Sequence, residues 1–254
     1  MLRLTLLLSI ALALASPAAQ GVSFAMNPIA DAFVTTGPTG NLSGNNYGGA
    51  GANSISAPGL PQGEQQSVLK FDLSAAAASF DSVFGAGQWN LQSVTLRLTA
   101  APANNAIFNT PAAGQLGISW MQNDSWTDGT GTPGSPGGAG ITYTTLQNTF
   151  IGGSDENLGA FAFNGATSGA FDYTLGFSAG LSADVLAGNI LSLRMFAADS
   201  AMSGVFNSRS FLSAASRPLL TVVAVPEPDP LALGGIGLAL LGAARRARRA
   251  TTDR

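Results

Sequence analysis

Between residues 22 and 224 apolar side chains keep returning at every second position, and that period decides which backbone the chain can adopt. Successive side chains of a strand point to opposite faces, so such a run buries one face and wets the other. Leu69, Phe71 and Leu73 alternate with Val68, Lys70 and Asp72, and Val94, Leu96, Leu98 and Ala100 alternate with Thr95, Arg97 and Thr99. The pattern recurs in Leu116, Ile118 and Trp120, in Phe161 and Phe163, in Phe171, Tyr173, Leu175 and Phe177, and in Leu191, Leu193 and Met195. Residues 219–223 close the body as one continuous apolar strand, which makes at least seven strands. Turn clusters at residues 36–40, 45–49 and 129–140 separate them, with Gly, Asn and Pro supplying the φ angles that turns need.

Only residues 74–84 and 182–187 read as helical. Parallel strands need crossovers of a dozen or more residues, usually helical, so two short helices cannot serve a parallel sheet. The expected fold is therefore all-β, an antiparallel two-sheet sandwich of the jelly-roll kind. The 12 residues from 129 to 140 read as a long, flexible surface loop.

Two terminal segments stand outside this body. Arg3 opens a short charged start, residues 4–14 are apolar apart from Thr5 and Ser9, and small residues follow at Ser16, Ala18, Ala19 and Gly21. That is the order of a secretory signal helix cut near residues 15–21, too short to span a bilayer, which takes about 20 residues. At the other end Val225-Pro226-Glu227-Pro228 breaks the sheet pattern, because proline lacks a backbone donor. Residues 231–244 then carry no polar side chain, and Arg245, Arg246, Arg248 and Arg249 follow. A helix of that length is about 21 Å long, short of the hydrocarbon core by itself. Four arginines behind it, with stems that snorkel, read as a stop-transfer cluster held on the cytoplasmic side. The chain thus divides into a signal peptide (1–21), a sandwich domain (22–224) and a tail with a membrane-sorting helix (225–254).

Residue types exclude several chemistries. With no cysteine and no histidine there is no disulfide framework, Cys/His zinc site, thiol nucleophile or imidazole base. The body holds 11 acids against 5 bases, a balance of −6 that repels phosphate backbones, so no nucleic-acid partner is expected.

The tail resembles the PEP-CTERM sorting signal of Gram-negative bacteria, also labelled the C-terminal domain of ice-binding proteins, on its Val-Pro-Glu-Pro motif, apolar stretch and basic end. The resemblance implies processing by an exosortase-type membrane peptidase. It also implies export to the cell envelope, then to the surface or extracellular matrix, in organisms that make exopolysaccharide. The ice-binding label belongs to the tail alone. Residues 31–34, 45–48, 69–74, 94–98, 120–126, 207–210 and 218–220 resemble the DNRLRE-type jelly-roll module, related to carbohydrate-binding modules, although Asp128 stands where that family often has Glu.

Within the body, Trp120 continues the Leu116 and Ile118 face and reads as core. Trp126 is out of that register beside the Gly/Pro loop, which makes it the candidate aromatic contact for a glycan, assisted by Asn123, Asp124 and Asp128. Asp124, Asp128, Asp155 and Glu156 supply the carboxylates that a glycosidase pair would need, against which stands their reading as solvated loop acids. Asp31, Asn45 and Asp72 are oxygen donors for a structural calcium, with no EF-hand spacing; no other cofactor is implied. Arg97 and Arg209 read as partners of neighbouring carboxylates. The expectation is a non-enzymatic envelope or matrix protein in contact with exopolysaccharide or surface molecules. The alternatives are a glycan-cleaving enzyme on the same sandwich and a purely structural or adhesive protein.

Overall fold

The computed structural model describes residues 20–103 and 110–228. Eleven strands form two antiparallel sheets, as the alternation requires. The four-stranded sheet comprises β1 (Val22–Met26), β11 (Leu219–Pro226), β5 (Trp89–Thr99) and β8 (Ala170–Thr174), in that order. The seven-stranded sheet runs β10 (Ser203–Asn207), β3 (Ala52–Ser56), β4 (Gln65–Asp72), β9 (Ile190–Ala197), β6 (Ala113–Met121) and β7 (Glu156–Asn164), with β2 (Ala30–Thr35) paired to β4.

The main core lies between the sheets. Val94, Leu96 and Leu98 of β5, Leu220 and Val222 of β11 and Tyr173 of β8 meet Leu69 and Phe71 of β4, Leu191, Leu193 and Met195 of β9 and Leu116, Ile118 and Trp120 of β6. Leu220 and Val222 were read as part of a continuous apolar strand; the others are residues whose period of two marked the strands. Phe177 departs from its expected face: β8 ends at Thr174, and the Phe177 side chain is 55% exposed.

Helix Ser74–Phe84 follows β4, and helix Ala179–Ala187 starts earlier than residue 182 because Ser178 caps it, its hydroxyl accepting the Leu181 N–H at 3.2 Å. Both helices send apolar side chains, Phe80, Leu181 and Val185 among them, into the main core. A further short helical turn spans residues 143–150.

The body does not stop at residue 224. Val225 and Pro226 continue β11 opposite Asn90 and Trp89, and the Glu227 N–H reaches the Gln88 carbonyl at 2.9 Å. Proline is tolerated there because β1 begins at Val22, opposite Ala224, so the last residues of β11 have β5 as their remaining partner. Of the Val-Pro-Glu-Pro motif, Val225 and Pro226 thus belong to a strand, and Glu227 and Pro228 follow it, exposed. The expected signal segment up to residue 19, the apolar stretch 231–244 and Arg245, Arg246, Arg248 and Arg249 lie outside the described residues. Among the described residues no helix is long and apolar enough to cross a membrane.

Candidate functional site

The segment after β6 lies over the outer face of the larger sheet and makes a second core there. Trp126, Ile141 and Leu146 pack on Ala32, Val34, Val68 and Met121. Trp126 is 1% exposed, which corrects its reading as a ligand-facing indole. Its Nε1 donates to Ser192 Oγ at 2.9 Å. Lys70 Nζ sits 4.4 Å from the ring centroid while donating to the carbonyls of Asp124 at 2.7 Å and Trp126 at 2.5 Å. Burial lowers the Lys70 pKa, with Asp124 and Asp128 opposing it. An ammonium stacked on an indole and bonded to two loop carbonyls fastens this segment to the sheet. Trp120 is buried, as its register requires, and its Nε1 donates to Asp184 Oδ2 at 2.7 Å.

The three polar residues grouped with Trp126 have structural partners as well. Asn123 Oδ1 accepts from the Ser125 N–H at 3.0 Å, and its amide donates to the Thr149 carbonyl at 3.3 Å. Burial raises the Asp124 pKa, with Ser192 countering it by hydrogen bonding, and Asp124 Oδ1 finds no donor. Asp128 pairs with Arg209 Nη2 at 2.5 Å. With the indole covered, the four residues do not converge on one exposed surface.

The remaining carboxylates follow the same rule. Asp155 accepts the N–H groups of Gln122 and Gly152 at 3.0 and 3.2 Å. Glu156 accepts that of Gly180 at 2.7 Å, and the Ser178 hydroxyl, then this amide, lower its pKa. The calcium candidates are separated by their partners. Asp31, 2% exposed, accepts from Asn53 Nδ2 at 2.9 Å and from the Arg209 N–H at 2.7 Å, and burial pushes its carboxyl above the usual range. Asn45 donates to Tyr47 Oη at 3.1 Å, and Asp72 takes the Ser74 N–H at 3.0 Å at the start of a helix. Among the described residues no group of three acidic side chains could hold a metal ion. Arg97 pairs with Asp172 across β5 and β8 at 2.7 Å on the solvent face, as read from sequence.

The Gly/Pro segment is not a free loop either. Its backbone interlocks with residues 45–51 around the buried Asn46, whose side-chain amide donates to the carbonyls of Asp128 at 2.6 Å and Ile141 at 2.8 Å. Asn46 Oδ1 accepts from the N–H groups of Gly48 at 3.2 Å and Gly131 at 3.0 Å. A Cβ on Gly48 would strike the Asp128 carbonyl and one on Gly131 the Asn46 carbonyl, so only glycine permits this approach.

An open cleft lies elsewhere, where β5 ends. It has a volume of about 410 Å³ and is lined by alanines 52, 100 and 101, Val205 and Pro102, with Thr167, Ser168, Asn207 and Ser216 at its polar positions and Phe211 beside them. Phe211 is 38% exposed yet fixed at both backbone groups: its N–H donates to the Ser208 carbonyl at 3.1 Å, and its carbonyl accepts from Arg217 Nε at 2.8 Å. Asn207 Nδ2 is tied to the Ser216 carbonyl at 3.1 Å. The sequence reading did not find this cleft, since its walls come from five separate stretches of chain. The one local signal was Phe211-Leu212, two apolar residues in a Ser, Arg and Ala stretch with no strand period.

No family model matches this chain, and no curated protein does. Among solved structures, a chain titled Desmodium yellow mottle tymovirus is similar over 84% of this chain and 90% of its own length, at 9% identity and a TM-score of 0.23, a likeness that extends to neither function nor fold.

Proposed function

We propose that this is an exported envelope or matrix protein, a non-enzymatic jelly-roll body displayed outside the cell from a membrane-sorting tail and in contact with exopolysaccharide or neighbouring surface molecules. The observation that carries this reading is the pairing of the first and last strands. β1 and β11 lie side by side with Val22 opposite Ala224, so the chain enters and leaves the sandwich at one end of the smaller sheet. A signal cut before β1 and a tail after β11 both fit that end. Only residues 228–230 separate the bonded Glu227 from the apolar stretch. Three residues reach at most about 10 Å, which would hold this end of the body close to the membrane before an exosortase-type peptidase acts. The export and sorting parts rest on the terminal motifs. The non-enzymatic part is supported by the carboxylates considered for a glycosidase pair, each of which has a structural partner in a backbone amide, Arg209 or Ser192.

The test is fractionation of the producing organism. Deleting residues 229–254 leaves every pair of β11 intact and is expected to move the protein from the envelope fraction to the medium. An unchanged distribution would overturn the sorting reading.

A further inference from the structure

The cleft beside Phe211 belongs to the end of the smaller sheet away from both termini. β5 leaves the terminal end at Trp89, opposite Pro226, and reaches Thr99, opposite Ala170. At about 3.3 Å per residue its Trp89–Thr99 span is roughly 33 Å. Ala100, Ala101, Thr167, Ser168 and Ser216 all lie beyond that far end, so a body held at its termini presents the cleft outward.

We infer that this cleft binds a neutral sugar unit of an extracellular polysaccharide, an assignment that rests on the surface-contact reading above and gives it a site. Three observations carry it. First, its volume of about 410 Å³ lies within the range of small-ligand sites, roughly 300 to 1,000 Å³, and its walls combine an apolar floor with a few polar groups, as such sites do. Second, Phe211 is exposed but not loose. Its backbone is bonded on both sides, so binding there orders little main chain, and the C–H side of a pyranose is the surface that an aromatic face complements. The hydroxyls of Thr167, Ser168 and Ser216 and the Asn207 amide suit the hydroxyls on the sugar's edge. Third, no charged side chain lines the cleft among the described residues, and the body carries a net −6, so a uronate or sulfated chain would lack a counter-charge among those lining residues and meet repulsion outside it. Arg217 stands nearby, its Nε donating to the Phe211 carbonyl, and is not among the described residues that line the cleft.

The experiment uses the full chain in a sugar-free detergent, with affinity electrophoresis through gels holding dextran or galactomannan as neutral probes and alginate or polygalacturonate as acidic ones. A neutral probe is expected to retard the protein and the acidic probes are not. Phe211→Ala should weaken retention about tenfold, the scale of losing one aromatic anchor. Ser168→Trp, an exposed position whose new indole fills the cleft, should abolish it. Both changes are at the surface, and an unchanged urea midpoint will confirm that each variant is folded. Retardation by acidic probes alone overturns the neutral class. Neutral binding that survives both substitutions overturns the cleft as its site and leaves the surface-contact reading standing. If no probe retards the protein, the saccharide assignment fails, whereas membrane sorting is judged separately by fractionation.

Discussion

Trp126 is the residue on which the covering segment turns. Its ring fills the space above Val68 and Val34, its N–H is spent on Ser192, and Lys70 lies over its face. Truncating it removes a fully buried side chain, strips Lys70 of its stacking partner and leaves the Ser192 hydroxyl short of a donor. Trp126→Ala is therefore expected to cost about 3 to 5 kcal/mol, read from urea unfolding, the magnitude of a large core truncation. A stability change under 1 kcal/mol would mean that the second core contributes little. Trp120 was legible because it keeps step with Leu116 and Ile118. Trp126 was not, because the surface it covers, the outer face of β4 and β2, comes from residues more than fifty positions earlier, and nothing in its neighbours records that encounter. The same holds for Lys70, whose place on the polar side of an alternating strand implied water, whereas a covering segment gave it an indole and two carbonyls.

At the scale of elements, strands that alternate announced themselves, β4 and β6 among them although both faces are largely covered, and buried strands with many polar residues did not. β5 alternates because its outer face is solvated. β2, β3 and β10 have nearly every residue buried, and several of these are polar: Asp31, Asn53, Ser54, Ser56 and Ser203. Without a hydrophobic period there is no signal to read. The glycine-rich segments misled in the opposite direction, since composition suggested mobility where the chains interlock. Glycine was required by closeness of approach, at Gly48 and Gly131, as well as by turning. Asn46 is the hub of that contact, with four side-chain hydrogen bonds to main-chain groups of the two segments. Asn46→Ala leaves those groups without partners in a buried place and is expected to destabilise by roughly 3 to 5 kcal/mol. Its local signature is faster amide exchange and protease cutting within residues 129–140. Exchange at the wild-type rate there would show that the glycine contacts hold without it.

For the molecule as a whole, the pairing of β1 with β11 and of β11 with β5 determines how it answers a pull. β11 is held by five residue pairs to β1 and eight to β5. A tug between the tail and the far end, as between residues 228 and 168, runs along the strands and loads those pairs together in shear. A pull between residues 22 and 228 acts on neighbouring ends and unzips the same ladder one pair at a time. Single-molecule stretching should give a clearly higher rupture force for the first geometry, and equal forces would refute the idea. A body tethered by its last strand and gripped at its opposite end would meet tension only along its strong axis. Its weak axis requires a hold on the first strand.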